Sequence, residues 1–383
     1  MPDPLQSSPA TGESLTDSQG PLDQTAPRPN GVPSEPNFAP PEHADEVGTF
    51  GRYRVLKKGG MGAVYLGYDG ALERKVALKM MLPQDAANVA ARERFLREAR
   101  SAAKVQSDHV VTIFDVGEAG GVPFIAMEYL LGHPLDQYLK SKGELPLAQV
   151  LRVARETAIG LAAAHGLGLV HRDIKPANLW LEAPNGRVKL LDFGLARATD
   201  DDVHLTNSGA VVGTPAYMSP EQGRGLKVDH RSDLFSLGVM LYRLCTGKMP
   251  FTGATTMAVL TSLAMDTPTP PRQLNPHLPE ALEAIVERLL AKNPAGRFQT
   301  ATEVADALRT VEQAKPTSGP LPVVVPLPVQ PLAVGAQTQN VWDGIEDSGS
   351  VAVPLADGAE TEAEPVPAPR PQRKRPEIGR AHV

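Results

Sequence analysis

One run, His171-Arg172-Asp173-Ile174-Lys175-Pro176-Ala177-Asn178, followed nineteen residues after Asp173 by Asp192-Phe193-Gly194, constrains this 383-residue chain more than any other feature. Between the two segments, Asn185-Gly186 separates the apolar runs Leu179-Trp180-Leu181 and Val188-Lys189-Leu190-Leu191. Asn-Gly between two such runs predicts a β-hairpin, because both residues tolerate the positive φ of a tight turn. The hairpin's second strand then delivers Asp192 to a cleft beside the first run. Asp173 can orient a hydroxyl and accept its proton, while Asn178 and Asp192 can hold Mg2+ on phosphate oxygens. Chemistry built from such parts depends on positioning and charge neutralisation.

Upstream, residues 150–165 carry apolar or small side chains at 150, 154, 158 and 161, the spacing of a buried helix face. That helix leads into Leu169-Val170-His171, so His171 reads as a packed core histidine. No Cys/His grouping has zinc-ligand spacing. Val76-Ala77-Leu78-Lys79 reads as a short buried strand ending in a lysine, and Glu98 follows nineteen residues later in a helical stretch. Alone, each would be an ordinary surface lysine or helix-face glutamate. With the downstream run, the pair reads as a phosphate-clamping lysine and the carboxylate that holds it. Phe124-Ile125-Ala126 predicts a strand that ends in Met127-Glu128-Tyr129-Leu130.

Composition divides the chain. Of 37 prolines, 22 fall in residues 1–49 and 314–383. Residues 1–49 carry eight acidic side chains and one Arg. Both ends hold too little apolar material to offset the entropy of ordering. The expected organisation is a disordered acidic, Pro-rich tail over 1–49, a folded domain over 50–313, and a disordered Pro-rich linker over 314–383. Net charge is −6, with no basic excess in the central region, so a nucleic-acid partner is not expected. The single cysteine, Cys245, excludes an intrachain disulfide and fits a reducing compartment. Polar and acidic residues follow Met1, so no signal peptide is expected.

The central region resembles the protein kinases, and most closely the eukaryotic-like serine/threonine kinases of bacteria. The similar stretches are Gly59-Gly60-Met61-Gly62-Ala63-Val64-Tyr65, the segments at 76–79 and 171–178, Asp192-Phe193-Gly194-Leu195-Ala196-Arg197, and Gly213-Thr214-Pro215-Ala216-Tyr217-Met218-Ser219-Pro220-Glu221. Ser232-Asp233-Leu234-Phe235-Ser236-Leu237-Gly238 and Asn293-Pro294-Ala295-Gly296-Arg297-Phe298 complete the set. The resemblance implies an α+β fold in two lobes. A small lobe (50–128) holds an antiparallel sheet and one helix; a larger, mainly helical lobe (129–313) holds the rest. It implies ATP with Mg2+ or Mn2+ between the lobes, and transfer of the γ-phosphoryl group to Ser or Thr of protein substrates, with self-association for autophosphorylation. Residue by residue, it assigns Asp173 as catalytic base and Lys175 as the group steadying the phosphoryl. Asn178 and Asp192 become metal ligands. The nucleotide is assigned to Gly59, Gly60, Gly62, Val64, Ala77, Lys79, Glu98, Glu128 and Leu130. Glu221 is expected to pair with Arg297, and Asp233 to brace the catalytic loop. Residues 195–218 become an activation segment in which Thr199, Thr206 and Ser208 are candidate phosphosites, with Arg172 placed to receive a phosphate.

The chain departs from the family at Leu56-Lys57-Lys58-Gly59-Gly60-Met61-Gly62. Gly59 and Gly62 match the second and third glycines, while Lys57 stands where the first belongs, as though three residues were lost. Weakened ATP binding is expected, because Lys has a Cβ where the loop needs glycine's freedom. The alternative reading is a pseudokinase-like scaffold. A shortened strand would also reverse its faces unless the turn absorbs the slip.

Two expectations concern the C-terminal end. Ile378-Gly379-Arg380-Ala381-His382-Val383 before a stop is what a common short-read sequencing adapter encodes, so the natural chain is expected to continue. Arg370-Pro371-Gln372-Arg373-Lys374-Arg375 resembles the basic cluster that kinases of this type often carry before a membrane helix. The kinase domain is expected in the cytoplasm, with the longer protein anchored only through such a helix.

Overall fold

Strand alternation along residues 48–128 builds one six-stranded antiparallel sheet. Its strands are β1 (Gly48–Phe50), β2 (Tyr53–Lys58), β3 (Val64–Asp69), β4 (Arg74–Met80), β5 (Ile113–Ala119) and β6 (Val122–Glu128), in the order β1-β2-β3-β4-β6-β5. This computed structural model describes residues 36, 38–40, 46–59, 63–193 and 215–314. The expectations placed on Gly60, Gly62, Thr199, Thr206, Ser208 and Thr214 lie outside the described residues. So do those placed on 1–35 and 315–383. The chain divides into two units, Met1–Trp342, which holds every described residue, and Asp343–Val383.

The pleat sends alternate residues of β4 to opposite faces. Val76, Leu78 and Met80 join Tyr53, Val55, Tyr65 and Phe124 in one cluster, while Ala77 joins a second cluster on the other face. Gly67 on β3 faces β4 so closely that a Cβ there would lie 2.5 Å from Leu78 Cδ1. The sheet curls until β2 reaches β5, where the Tyr53 hydroxyl donates to Asp115 Oδ2 at 2.8 Å. Burial, reinforced by that hydrogen bond, pushes the Tyr53 phenol up to about 12. Helices α1 (Pro83–Ala86) and α2 (Val89–Ala102) follow β4. Asn88 caps α2 by accepting the Ala91 N–H, and the face bearing Phe95 and Ala99 packs on Ile125 of β6.

One detail differs from expectation. The sheet begins before residue 50: β1 pairs with β2, Ala39 bridges Thr49, and the Phe38 ring packs against Phe50 and Tyr65. Averaging composition over 1–49 hid Phe38, an aromatic large enough to seat its neighbours on the sheet. A register slip of the kind expected from the shortened glycine segment is present inside β2. Val55 pairs with Gly67 but Lys57 pairs with Leu66, so Leu56 forms a β-bulge and the register stays compatible on both sides.

The second lobe is mainly helical. It comprises α3 (Leu135–Lys142), α4 (Leu147–His165), α5 (Pro220–Gly223), α6 (Arg231–Thr246), α7 (Thr256–Met265), α8 (Pro271–Leu274), α9 (Glu280–Leu289) and α10 (Ala301–Gln313). A small sheet of β7 (Gly132–Pro134), β8 (Leu179–Glu182) and β9 (Arg187–Leu190) sits beside them. Val150, Ala154, Ala158 and Leu161 form the buried face of α4, as the spacing predicted, and α4 packs against α10, α6 and β9. From Ser232 to Cys245, α6 is buried nearly all round except at Arg243, which makes it the lobe's central helix. The β8–β9 hairpin forms with Glu182 opposite Arg187, so residues 183–186 make its loop, and Gly186 takes φ +65°. Among the described residues, no helix is long and apolar enough to cross a membrane.

Candidate active site

The segment between α4 and β8 is shaped by a buried carboxylate. Asp233, on the first turn of α6 and fully buried, accepts the backbone N–H of His171 on Oδ2 and that of Arg172 on Oδ1, each at 2.7 Å. His165 Nε2 donates to the same Oδ2 at 2.8 Å. Three donors thus offset the cost of burying this charge. Arg172 is held at φ +66°, a left-handed conformation that costs a residue with a Cβ about 1–2 kcal/mol. The turn directs the next residue, Asp173, into the cleft. His171 is a core residue as expected: its Nε2–H donates to Leu191 O at 2.8 Å and its ring lies 4.7 Å from that of Phe193.

Asp173, Lys175 and Asn178 come together as the sequence predicted. Lys175 Nζ is 2.7 Å from Asp173 Oδ2. The Asn178 carboxamide nitrogen donates to Asp173 O at 2.8 Å and to Asp173 Oδ2 at 2.9 Å. With that nitrogen engaged, the Asn178 carbonyl oxygen is the atom suited to a hard cation. The hairpin returns Asp192 to the same cleft, tied by the Leu191 N–H to Asn178 O hydrogen bond of 3.0 Å. Asp192 also has positive φ, +56°, so two neighbouring loops of the cleft store backbone strain.

From the opposite wall, Lys79 at the end of β4 reaches Asp192 Oδ1 at 2.7 Å. Glu98, its expected partner, sits half-buried on α2 beside the buried Ala99. Val64, Ala77 and Leu130 share an apolar cluster with Val111, Met127 and Trp180, a surface suited to a flat aromatic ring. The Glu128 side chain is engaged elsewhere, receiving Lys189 Nζ at 2.7 Å, and its N–H donates to Thr112 O at 2.8 Å. Of the glycine segment, Gly59 is described, and its N–H closes the turn onto Val64 O at 2.7 Å.

The residues present suit Mg2+ carried on phosphates. Among the described residues there is no cluster of three His, Cys, Asp or Glu that would make an all-protein site. One carboxylate and one carboxamide in a cleft fit an ion that takes its remaining ligands from phosphate and water.

Behind the cleft, Glu221 and Arg297 make a bidentate pair at 2.7 and 2.9 Å. Arg297 is 1% exposed, and all five of its N–H groups are used: two on Glu221 and the others on the carbonyls of Ala291, Arg231 and Lys292. Burial alone would raise the Glu221 pKa, but Arg297 outweighs it and holds the carboxyl below its ordinary range.

Sequence reasoning missed three participants. His165 lay in the predicted helix with nothing local to mark its partner 68 residues away. Trp180 ties β8 to the chain after β6 by donating Nε1–H to Leu131 O at 3.1 Å. Lys189 did carry a signal, a charge within an apolar strand run, which asks for a buried counter-ion.

Residues 50–308 match the family described as protein kinase domain. The chain is similar to the serine/threonine-protein kinase PknB of Mycobacterium leprae, 39% identical over 270 residues, 70% of this chain and 43% of that protein. It is also similar to the serine/threonine-protein kinase PksC of Streptomyces coelicolor, 38% identical over 334 residues, 83% of this chain and 57% of that protein. The solved kinase domain of Mycobacterium tuberculosis PknI matches with a TM-score of 0.56 at 31% identity, covering 70% of this chain and 99% of that one. The chain spans about half the length of these curated relatives.

Proposed function

This chain belongs to the protein kinase family, and we propose that it is a serine/threonine protein kinase. The observation that carries the reading is the convergence of Asp173, Lys175 and Asn178, with Lys79 and Asp192 facing them across the cleft. The names of the similar bacterial proteins support the same activity.

In this reading the cluster around Ala77 and Leu130 receives the adenine ring of ATP, and Lys79 binds its phosphates. Asn178 and Asp192 would hold Mg2+ or Mn2+, which neutralises phosphate charge when bound. Asp173 orients a Ser or Thr hydroxyl of a protein and takes its proton as the oxygen bonds to the γ-phosphorus and the β–γ bridging oxygen departs with ADP. Lys175, held against Asp173, supplies positive charge beside the transferring group. Glu98 is proposed to hold Lys79 when nucleotide is bound. Substrates are proteins, a second copy of this chain among them, with Thr206 and Ser208 as the proposed self-phosphorylated hydroxyls. The domain is proposed to work in the cytoplasm; the lone Cys245 is buried and its thiol is pushed up to about 12, so it is inert.

The test is phosphoamino-acid analysis after incubation of the full chain with labelled ATP, Mg2+ and casein. Label on Ser and Thr, lost in Lys79→Met, is expected. Label on Tyr alone, or equal label in the variant, would refute it.

A further inference from the structure

Residues 38–40 and 46–50 precede the cleft and take no part in its chemistry, yet they pack on both strands that flank the glycine segment. Ala39 and Thr49 exchange backbone N–H to O hydrogen bonds, both 3.0 Å. Val47 N–H donates to Val55 O at 2.7 Å, and β1 pairs Gly48 with Val55. The Glu46 side chain, 1% exposed, pairs with Arg54 of β2 at 3.0 Å. The Phe38 ring stands edge-on to Phe50 at 6.1 Å and to Tyr65 at 5.1 Å. Tyr65 lies on β3 opposite Lys58, at the stem of the turn.

We propose that residues 38–40 and 46–49 form a strap that steadies the β2–β3 stem of the glycine segment for ATP, with Phe38 acting through Tyr65 and Glu46 through Arg54. The inference rests on the kinase reading. Its physical basis is the bulge at Leu56. Pairing between β1 and β2 ends at Val55, immediately before the slip, and beyond it β3 is held by Lys57, Lys58 and the Gly59 N–H on Val64 O. So short a stem past a bulge is weakly held on its own. The strap clamps the residue before the bulge on one strand and Tyr65 on the other, which confines the irregularity to Leu56. Gly48 is what admits the strap: its φ is +151°, and a Cβ there would lie 2.3 Å from Ala39 O and 2.9 Å from Phe38 Cβ. Phe38 and Glu46 are therefore positioning residues that touch no nucleotide.

The test uses the full chain as wild type, Phe38→Ala, Phe38→Leu and Gly48→Ala. Hydrogen exchange over residues 55–67 is measured without nucleotide, ADP affinity by calorimetry, and KM and kcat with ATP and casein. Phe38→Ala and Gly48→Ala should speed the exchange and weaken ADP about two- to tenfold, the scale of a lost edge-to-face aromatic pair. The KM for ATP should rise by the same factor, with kcat and the casein KM within about twofold, and Phe38→Leu should recover part of the loss. Unchanged exchange, unchanged ADP affinity, or an equal shift of every kinetic constant in the Ala variants would overturn the strap. A wild-type chain that binds no ADP overturns the kinase reading as well, whereas equal binding by wild type and Phe38→Ala overturns the strap alone.

Discussion

Asp233 accepts the backbone N–H of Arg172 at 2.7 Å while Arg172 is held at φ +66°. The carboxylate therefore fixes the turn that aims Asp173, although it never meets a reacting atom. Hydrogen bonds to a charged group contribute about 1.5–3 kcal/mol each, enough to outweigh the left-handed strain. Asp233→Asn leaves one good acceptor oxygen for three donors. It should lower kcat by about 10- to 100-fold, while ADP affinity changes by less than about threefold, because Lys79 and the apolar cluster are untouched. Steady-state kinetics with calorimetry on the same preparation checks this; a parallel loss of ADP binding would contradict it.

The Glu221–Arg297 pair yields a stability prediction. Replacing Arg297 by Met strands a buried carboxylate and should cost about 3–5 kcal/mol in urea unfolding at pH 7. The pH dependence has a definite sign. The folded-state pKa of Glu221 is lowered, so its stabilisation is present above the unfolded value, about 4.3, and is lost as pH falls through the folded value. Glu221→Gln should thus be less stable than wild type at pH 7, with a gap that narrows below about pH 4. A gap independent of pH would mean that the pair is not ionic.

Much of this arrangement is legible in sequence wherever the signal is local. The hairpin that returns Asp192 is announced by Asn185-Gly186, and the α4 face by the spacing of Val150, Ala154, Ala158 and Leu161. The convergence of Asp173, Lys175 and Asn178 follows from their closeness in the chain. What stays illegible depends on pairs far apart in sequence. His165 meets Asp233, and Lys189 meets Glu128, through the fold alone, since no periodicity encodes a partner more than sixty residues away. Phe38 was concealed for a different reason: one aromatic in a Pro-rich, acidic stretch barely moves its average, yet it finds a preformed aromatic surface on Phe50 and Tyr65.

The shortened glycine segment leads to a third prediction. The bulge at Leu56 keeps β2 and β3 in register, and Lys57 pairs with Leu66 in the stem, at the position where the resemblance to kinases led to an expectation of glycine. Inserting Leu-Gly-Gln between Lys58 and Gly59 should lower the KM for ATP about three- to tenfold and leave the KM for casein within about twofold. An unchanged KM for ATP would show that the present turn already closes over phosphate.

The role proposed for Asp173 and the groups around it is transfer of a phosphoryl group. The most direct measurement is single-turnover phosphate incorporation by the full chain at millimolar ATP with Mg2+, wild type against Asp173→Asn. Loss of a positioned base predicts a rate lower by about 10²–10⁴-fold in the variant with ADP affinity retained. No incorporation by the wild-type chain, or equal rates in the two proteins, would contradict the account.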